Sequence, residues 1–215
     1  MNKKVRRPSG PFPSLPSGMD NILKVHFDKH RKDDTLPEEL AGKFEGRLFR
    51  DVGKLDVWRN NFRGLRYLDE KSGITLTGAL DDLFVTSDSK YAPLDFKTRG
   101  FPRKEDTHKH YQHQMDLYSF LLEKNSMDPA NYAILIFYHP LNVEDNHNVI
   151  FNADTVKVPV DRNHGEKIFL DAIKCILGDE PKGSDNCNYC KWNLSHEVDG
   201  PAQDAKKKNN LSDFI

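Results

Sequence analysis

The sequence predicts an α/β domain, a mixed central β-sheet flanked by helices. Three observations carry this expectation. Apolar residues recur at helical spacing near the start of the chain and again over residues 105–124. Strand-like segments with turn residues between them fall in the interval. The continuous apolar run from Tyr132 to Tyr138 reads as a strand buried on both faces.

Residues 1–16 read as a flexible basic, proline-rich arm: Lys3, Lys4, Arg6 and Arg7 stand among Pro8, Pro11, Pro13 and Pro16, which disfavour helix. A helix is expected from Ser17 to Arg31, with Ser17 as its cap and Met19, Ile22, Leu23 and Phe27 as its apolar stripe. Residues 33–62 are mixed in pattern, with a short helix around Leu55–Trp58. Strands are expected at Gly64–Asp69, Ile74–Thr86 and Tyr91–Thr98, the last two joined by a turn at Ser87-Asp88-Ser89-Lys90. A long helix fits Glu105–Lys124, capped by Asp106 or Thr107. After the 132–138 run, strands at Val149–Asn152 and Thr155–Val160 precede a helix over Gly165–Leu177. Residues 17–192 form one domain, and residues 193–215, with Lys206-Lys207-Lys208 and little apolar content before the end, read as a disordered tail.

The bulk properties narrow the function. With 215 residues the chain is long enough for one well-filled core. A formal net charge of −1 gives no global pull toward nucleic acid, so any basic surface must be local. No apolar run approaches the ~20 residues of a membrane-spanning helix. The start, Met1-Asn2-Lys3-Lys4, leads into prolines rather than an apolar signal segment, and the cysteines number three, which does not make a closed disulfide framework. The compartment these features suggest is the cytosol.

The chemistry concentrates between Gly78 and Tyr118. On the strand 91–98, Ala92, Leu94 and Phe96 share one face and Asp95 and Lys97 the other. A carboxylate and an ammonium on one face of a buried strand are costly without a task or good partners. A structural ion pair on an edge strand is the competing explanation. Asp81 lies on the preceding strand candidate, where a hairpin could bring it beside Asp95. Two close carboxylates repel, and a hard divalent cation relieves that repulsion. Pattern does not choose between Asp81 and Asp82, which point to opposite faces, and one of the two is expected to be a solvated surface acid. Gln114 and Tyr118, four residues apart, share a helix face. Arg99, Arg103, Lys104 and Lys109, among histidines 108, 110 and 113, make a cationic loop suited to a phosphate backbone, although Glu105 and Asp106 dilute it.

Gly-x-x-Asp at 78–81, Asp-x-Lys at 95–97 and Gln-x-x-x-Tyr at 114–118, in that order, resemble the RecB-type branch of the PD-(D/E)XK nuclease superfamily, over roughly residues 17–192. Within the branch the chain is most similar to the CRISPR-associated exonucleases that pair this domain with an iron–sulfur site. The resemblance implies a restriction-endonuclease-like core and a Mg2+- or Mn2+-dependent deoxyribonuclease, exonucleolytic on single strands or ends, serving DNA repair, recombination or CRISPR-related processing. It implies Asp81 and Asp95 as metal ligands with the Phe96 carbonyl as a further one. Lys97 would orient the attacking water or stabilise the pentavalent phosphate, and Gln114 and Tyr118 would hold Lys97 or the scissile phosphate. On the first helix, Asp20 in Ser17-Gly18-Met19-Asp20 is the candidate to complete the metal shell, with His26 second; the family's usual histidine is absent at the matching place.

The iron–sulfur relatives take one cysteine from before the first helix and three from the C-terminal end. Here no cysteine precedes Cys175 and none follows Cys190, so a cluster held by four thiolates of this chain is impossible. Cys187 and Cys190 form a C-x-x-C read as a pair of reduced thiols, with a zinc site using a histidine as the alternative, and Cys175 is expected to pack within the last helix. The end of the tail, with Leu211, Phe214 and Ile215 spaced apart and Lys208 in place of the usual glutamine, resembles the peptide by which repair proteins dock on sliding clamps; a frayed terminus is the alternative. Two further readings compete with the enzyme: a non-catalytic nucleic-acid-binding module of the same fold, and an adaptor recruited through its tail.

Overall fold

The computed structural model describes residues 14–179, together with 181–184, 186, 187 and 190. The arm up to residue 13 and the 193–215 tail, including Leu211, Phe214 and Ile215, lie outside the described residues. By contacts, residues 1–174 group as one compact unit and 175–215 as another.

The first helix, α1 (Ser14–Lys32), starts three residues before the expected cap, with Pro16 in its first turn, where a missing N–H costs nothing. Its buried residues are Leu23, Phe27 and Arg31, spaced by four, so they form one face. Ile22, expected in that stripe, is 65% exposed because it falls off this row. After a short strand β1 (Gly46–Leu48) comes α2 (Val52–Trp58), whose N-cap Asp51 accepts from the Lys54 N–H. The strands β2 (Leu65–Asp69) and β3 (Ile74–Gly78) pair with each other as a separate two-stranded sheet.

The expected long strand Ile74–Thr86 is in fact two. The chain leaves β3 at Gly78, crosses through Ala79–Asp81, and enters β4 (Asp82–Thr86) in the main sheet. That sheet has the order β1-β4-β5-β6-β7, with β5 (Tyr91–Thr98) at its centre. β4 and β5 form the expected antiparallel hairpin, with Asp82 opposite Leu94. β5 runs parallel to β6 (Tyr132–Val143), and β7 (Val149–Pro159) closes the other edge antiparallel to β6. The two short strands expected over 149–160 are therefore one, because the ladder to β6 continues through Asn152 and Asp154 despite their weak strand preference. The helix expected from Glu105 begins instead as a 3-10 turn, Thr107–Tyr111, followed by α3 (Gln112–Lys124); Asp106 precedes the turn without a side-chain cap bond.

Alternation along β5 and β6 divides the core in two. On one side Phe84, Leu94, Phe96, Ile134, Ile136 and Tyr138 pack with Leu23 and Phe27 of α1. On the other, Leu83, Leu135 and Phe137 pack with Met115, Tyr118, Leu121 and Leu122 of α3. The last helix, α4 (Arg162–Leu177), joins α3 through Phe120, Phe169 and Ile173. The backbone of Gly165 makes this approach possible: a Cβ there would stand 2.3 Å from the Asp116 carbonyl oxygen.

In the second unit, Cys175 is exposed rather than packed, and none of the three cysteines is in a disulfide. The Cys190 thiol is raised above its ordinary pKa chiefly by its hydrogen bond with Cys187.

Candidate active site

The hairpin register ends with Asp82 opposite Leu94, which leaves Asp81 and Asp95 each one residue beyond the last pair. The Phe96 backbone N–H donates to Asp81 Oδ2 at 2.9 Å, tying the crossover segment to the central strand. Lys97, on the same face as Asp95, sets its ammonium against Asp95 Oδ2. The Lys97 ammonium also donates to Gln114 Oε1 at 3.2 Å and stands 4.7 Å from the Tyr111 ring centroid. Gln114 in turn donates to the Tyr118 hydroxyl at 2.9 Å, and that hydroxyl donates to the Ala79 carbonyl. A chain of contacts thus runs from Asp95 through Lys97, Gln114 and Tyr118 back to the segment that carries Asp81. Gly78 permits the close approach of α3, since a Cβ there would meet Leu121 at 2.8 Å and Tyr118 at 3.0 Å.

The electrostatics are those of a crowded acidic pair. Asp95 is 2% exposed. Burial first, then the nearby Asp81 charge, pushes its carboxyl up to about 7 even though Lys97 opposes the shift. Asp81 is raised as well, again chiefly by burial. Tyr118 is held well above the usual phenol range by burial and by the Asp95 charge. Asp95 Oδ2, although in contact with the Lys97 ammonium, has no well-directed hydrogen bond. A buried carboxylate raised by the charge of a half-buried neighbour, and with an oxygen short of a hydrogen bond, suits a hard divalent cation that prefers oxygen ligands.

Asp20 comes near this pair without joining it. Its carboxylate accepts from the Lys24 ammonium at 2.7 Å, and Lys24 lies 3.6 Å from Asp81 Oδ1, so a lysine stands between the two acids. Among the described residues no group of three or more His, Cys, Asp or Glu side chains has the arrangement of a metal cage. His26, the second candidate from α1, faces Glu39 at 3.6 Å and meets the His30 ring edge-to-face instead. In the basic loop, Arg99 extends the β5–β6 ladder by donating its N–H to the Tyr138 carbonyl. The Nε atoms of Arg99 and Arg103 are buried without a hydrogen-bond partner, and Lys104 and Lys109 are exposed.

The expectation that one of Asp81 and Asp82 is a solvated acid is wrong. Asp82 is 0% exposed. Its carboxylate pairs with Arg31 of α1 and, at 2.9 Å, with Arg59. Both arginines also bond Asp28, and the Arg59 Nε donates to the Asp81 carbonyl at 2.8 Å. Burial works against the Arg59 charge, but its bond to Asp28 and the Asp82 charge outweigh that and raise its pKa. Sequence reasoning missed this network. The signal was present in α1, where Arg31 continues the Leu23–Phe27 spacing onto the buried face.

A family model of the PD-(D/E)XK nuclease superfamily matches residues 13–194, most of the chain. The chain belongs to the PD-(D/E)XK nuclease superfamily. This PD-(D/E)XK chain also has structural neighbours of low similarity. One is the crystal structure of SSO0001, at 16% identity and a TM-score of 0.39, covering 85% of this chain and 69% of that one. No curated protein sequence matches. Superfamily membership points the PD-(D/E)XK chain to nuclease activity, and nucleases of this superfamily typically use Mg2+ or Mn2+. No helix among the described residues is long and apolar enough to cross a membrane.

Proposed function

We propose that the protein is a Mg2+- or Mn2+-dependent deoxyribonuclease that hydrolyses phosphodiester bonds exonucleolytically, at single strands or ends. The observation that supports this most directly is the meeting of Asp81, Asp95 and Lys97 around the β4–β5 hairpin, with Gln114 and Tyr118 behind them. In this reading Asp81 and Asp95 hold the ion, with the Phe96 carbonyl as a further oxygen donor, and Asp20 completes the set once Lys24 swings out from between the acids. When bound, such an ion acidifies water and offsets charge on the phosphoryl oxygens. Lys97 places a compact positive charge where the phosphate gains negative charge as the water oxygen bonds to phosphorus and the ester oxygen leaves. Gln114 and Tyr118 fix the direction of Lys97, and Arg99, Arg103, Lys104 and Lys109 hold the strand by its phosphates.

The test is cleavage of labelled single- and double-stranded DNA with Mg2+, Mn2+ or chelator, beside Asp95→Ala and Lys97→Ala. We expect ion-dependent cutting, with Lys97→Ala slower by about 10²–10³-fold and Asp95→Ala inactive. DNA that is shifted but never cut by the wild type would make this a binding module instead. An absence of any interaction would favour the adaptor reading.

A further inference from the structure

A cavity of about 360 Å3 opens beside Asp81, lined in part by Asp20, Lys24, Arg59, Asn60 and Phe62. The cations in that lining are already engaged: Lys24 by Asp20 and Asp81, Arg59 by Asp28 and Asp82. Phe62 is the exception in chemistry. It is 91% exposed, more than any other large hydrophobic side chain described. Single exposed apolar residues are common and need no explanation. What distinguishes Phe62 is the frame that presents it.

The turn behind Phe62 is fixed on both sides. Asn60 Oδ1 accepts from the backbone N–H groups of Phe62 at 2.9 Å and Arg63 at 3.1 Å. The Gly64 N–H donates to the Val57 carbonyl, closing the turn onto α2. Gly64 adopts φ +54°, and a Cβ there would stand 2.5 Å from the Gly78 carbonyl oxygen. The turn is therefore seated against the end of β3, from which the chain proceeds directly to Asp81. Ring and carboxylate thus stand on two backbone segments that meet at Gly64 and Gly78.

We propose that Phe62 is a stacking platform for one unpaired nucleobase, and that it makes the site selective for strands whose bases are free. This rests on the nuclease reading for the identity of the ligand. A flat apolar ring at the mouth of a polar cavity matches the one flat apolar group that accompanies every phosphodiester. Bases inside a duplex are already stacked on their neighbours, so only a single strand or a splayed end can present a face to Phe62. The backbone contacts of the basic loop carry no such distinction.

The test uses the full-length Asp95→Asn protein, which binds without cutting, and single-stranded oligonucleotides carrying 2-aminopurine or an abasic site at successive positions. One position should show aminopurine quenching on binding, and an abasic site there should weaken binding about tenfold. Adding Phe62→Ala should abolish that quenching and weaken binding of the intact strand about tenfold, with no further loss on the abasic strand. Phe62→Trp should restore both. Because the side chain is exposed, these changes leave the fold intact. The proposal is overturned if Phe62→Ala binds and quenches like its parent, or if its loss is the same on the abasic strand. It is overturned equally if the protein binds no single strand. Should the wild type fail to cut with either ion while the quenching still depends on Phe62, the nuclease reading fails and the platform stands.

Discussion

Asp95 carries the most consequential charge in the structure. Its carboxyl is raised to about 7 from an ordinary 3.8. Between those values the folded chain holds a proton that the unfolded chain has released, so this group makes stability fall as pH rises from about 4 to 7. We expect the melting temperature of the metal-free protein to decline across that window, and the decline to shrink in Asp95→Asn, by scanning calorimetry in chelator. Added Mg2+ should act with the opposite sign, since the ion favours the ionised pair, and should raise the melting temperature more at pH 8 than at pH 5. Gln114 tests the positioning of Lys97 separately. Gln114→Ala should lower the cleavage rate about tenfold with little change in DNA affinity, because it touches Lys97 and Tyr118 rather than the strand. A loss confined to affinity would contradict that role.

Between elements, the connections that matter are a buried ion network and the close approach of α4 to α3 at Gly165. If the Asp82 carboxylate is removed, two largely buried arginines are left to share Asp28 alone. Asp82→Ala should therefore destabilise the fold by about 3–5 kcal/mol, measured by urea unfolding, far more than an exposed acid would. Gly165→Val forces α4 away from the Asp116 backbone and should cost about 1–3 kcal/mol in the same measurement. These elements also show what the sequence could and could not reveal. Tyr132–Tyr138 announced a central strand by composition, and the period of two along β5 put Asp95 and Lys97 on one side. The turn at 87–90 made the hairpin legible, and with it the meeting of Asp81 and Asp95. The break at Ala79–Asp81 was not legible, because the apolar alternation runs through it while the chain changes sheets. Nor was Asp82, whose partners Arg31 and Arg59 lie 51 and 23 residues away. Short-range pattern marks Arg31 as lying on the buried face of α1 but not which acid it meets.

For the molecule as a whole, the balance of charge sets how it meets a polyanion. With a net charge of −1, attraction must come from the local loop. If Arg99, Arg103, Lys104 and Lys109 each neutralise one phosphate of a single strand, the slope of log affinity against log salt should be about −3, at roughly 0.7 per contact. Replacing any one by alanine should make the slope shallower by about 0.7, read by fluorescence anisotropy across a salt series. A slope unchanged by all four replacements would place the contact surface elsewhere.

The strand that bears Asp95 and Lys97 is held by β4 over Tyr91–Leu94 and by β6 over Leu94–Thr98, so a neighbour grips each half of its length. Such a strand cannot fray by itself. Its amide protons should exchange with solvent only when the entire domain opens, and the curve of thermal inactivation should overlay the curve of global melting, with no cooler phase in which a folded but inert species accumulates.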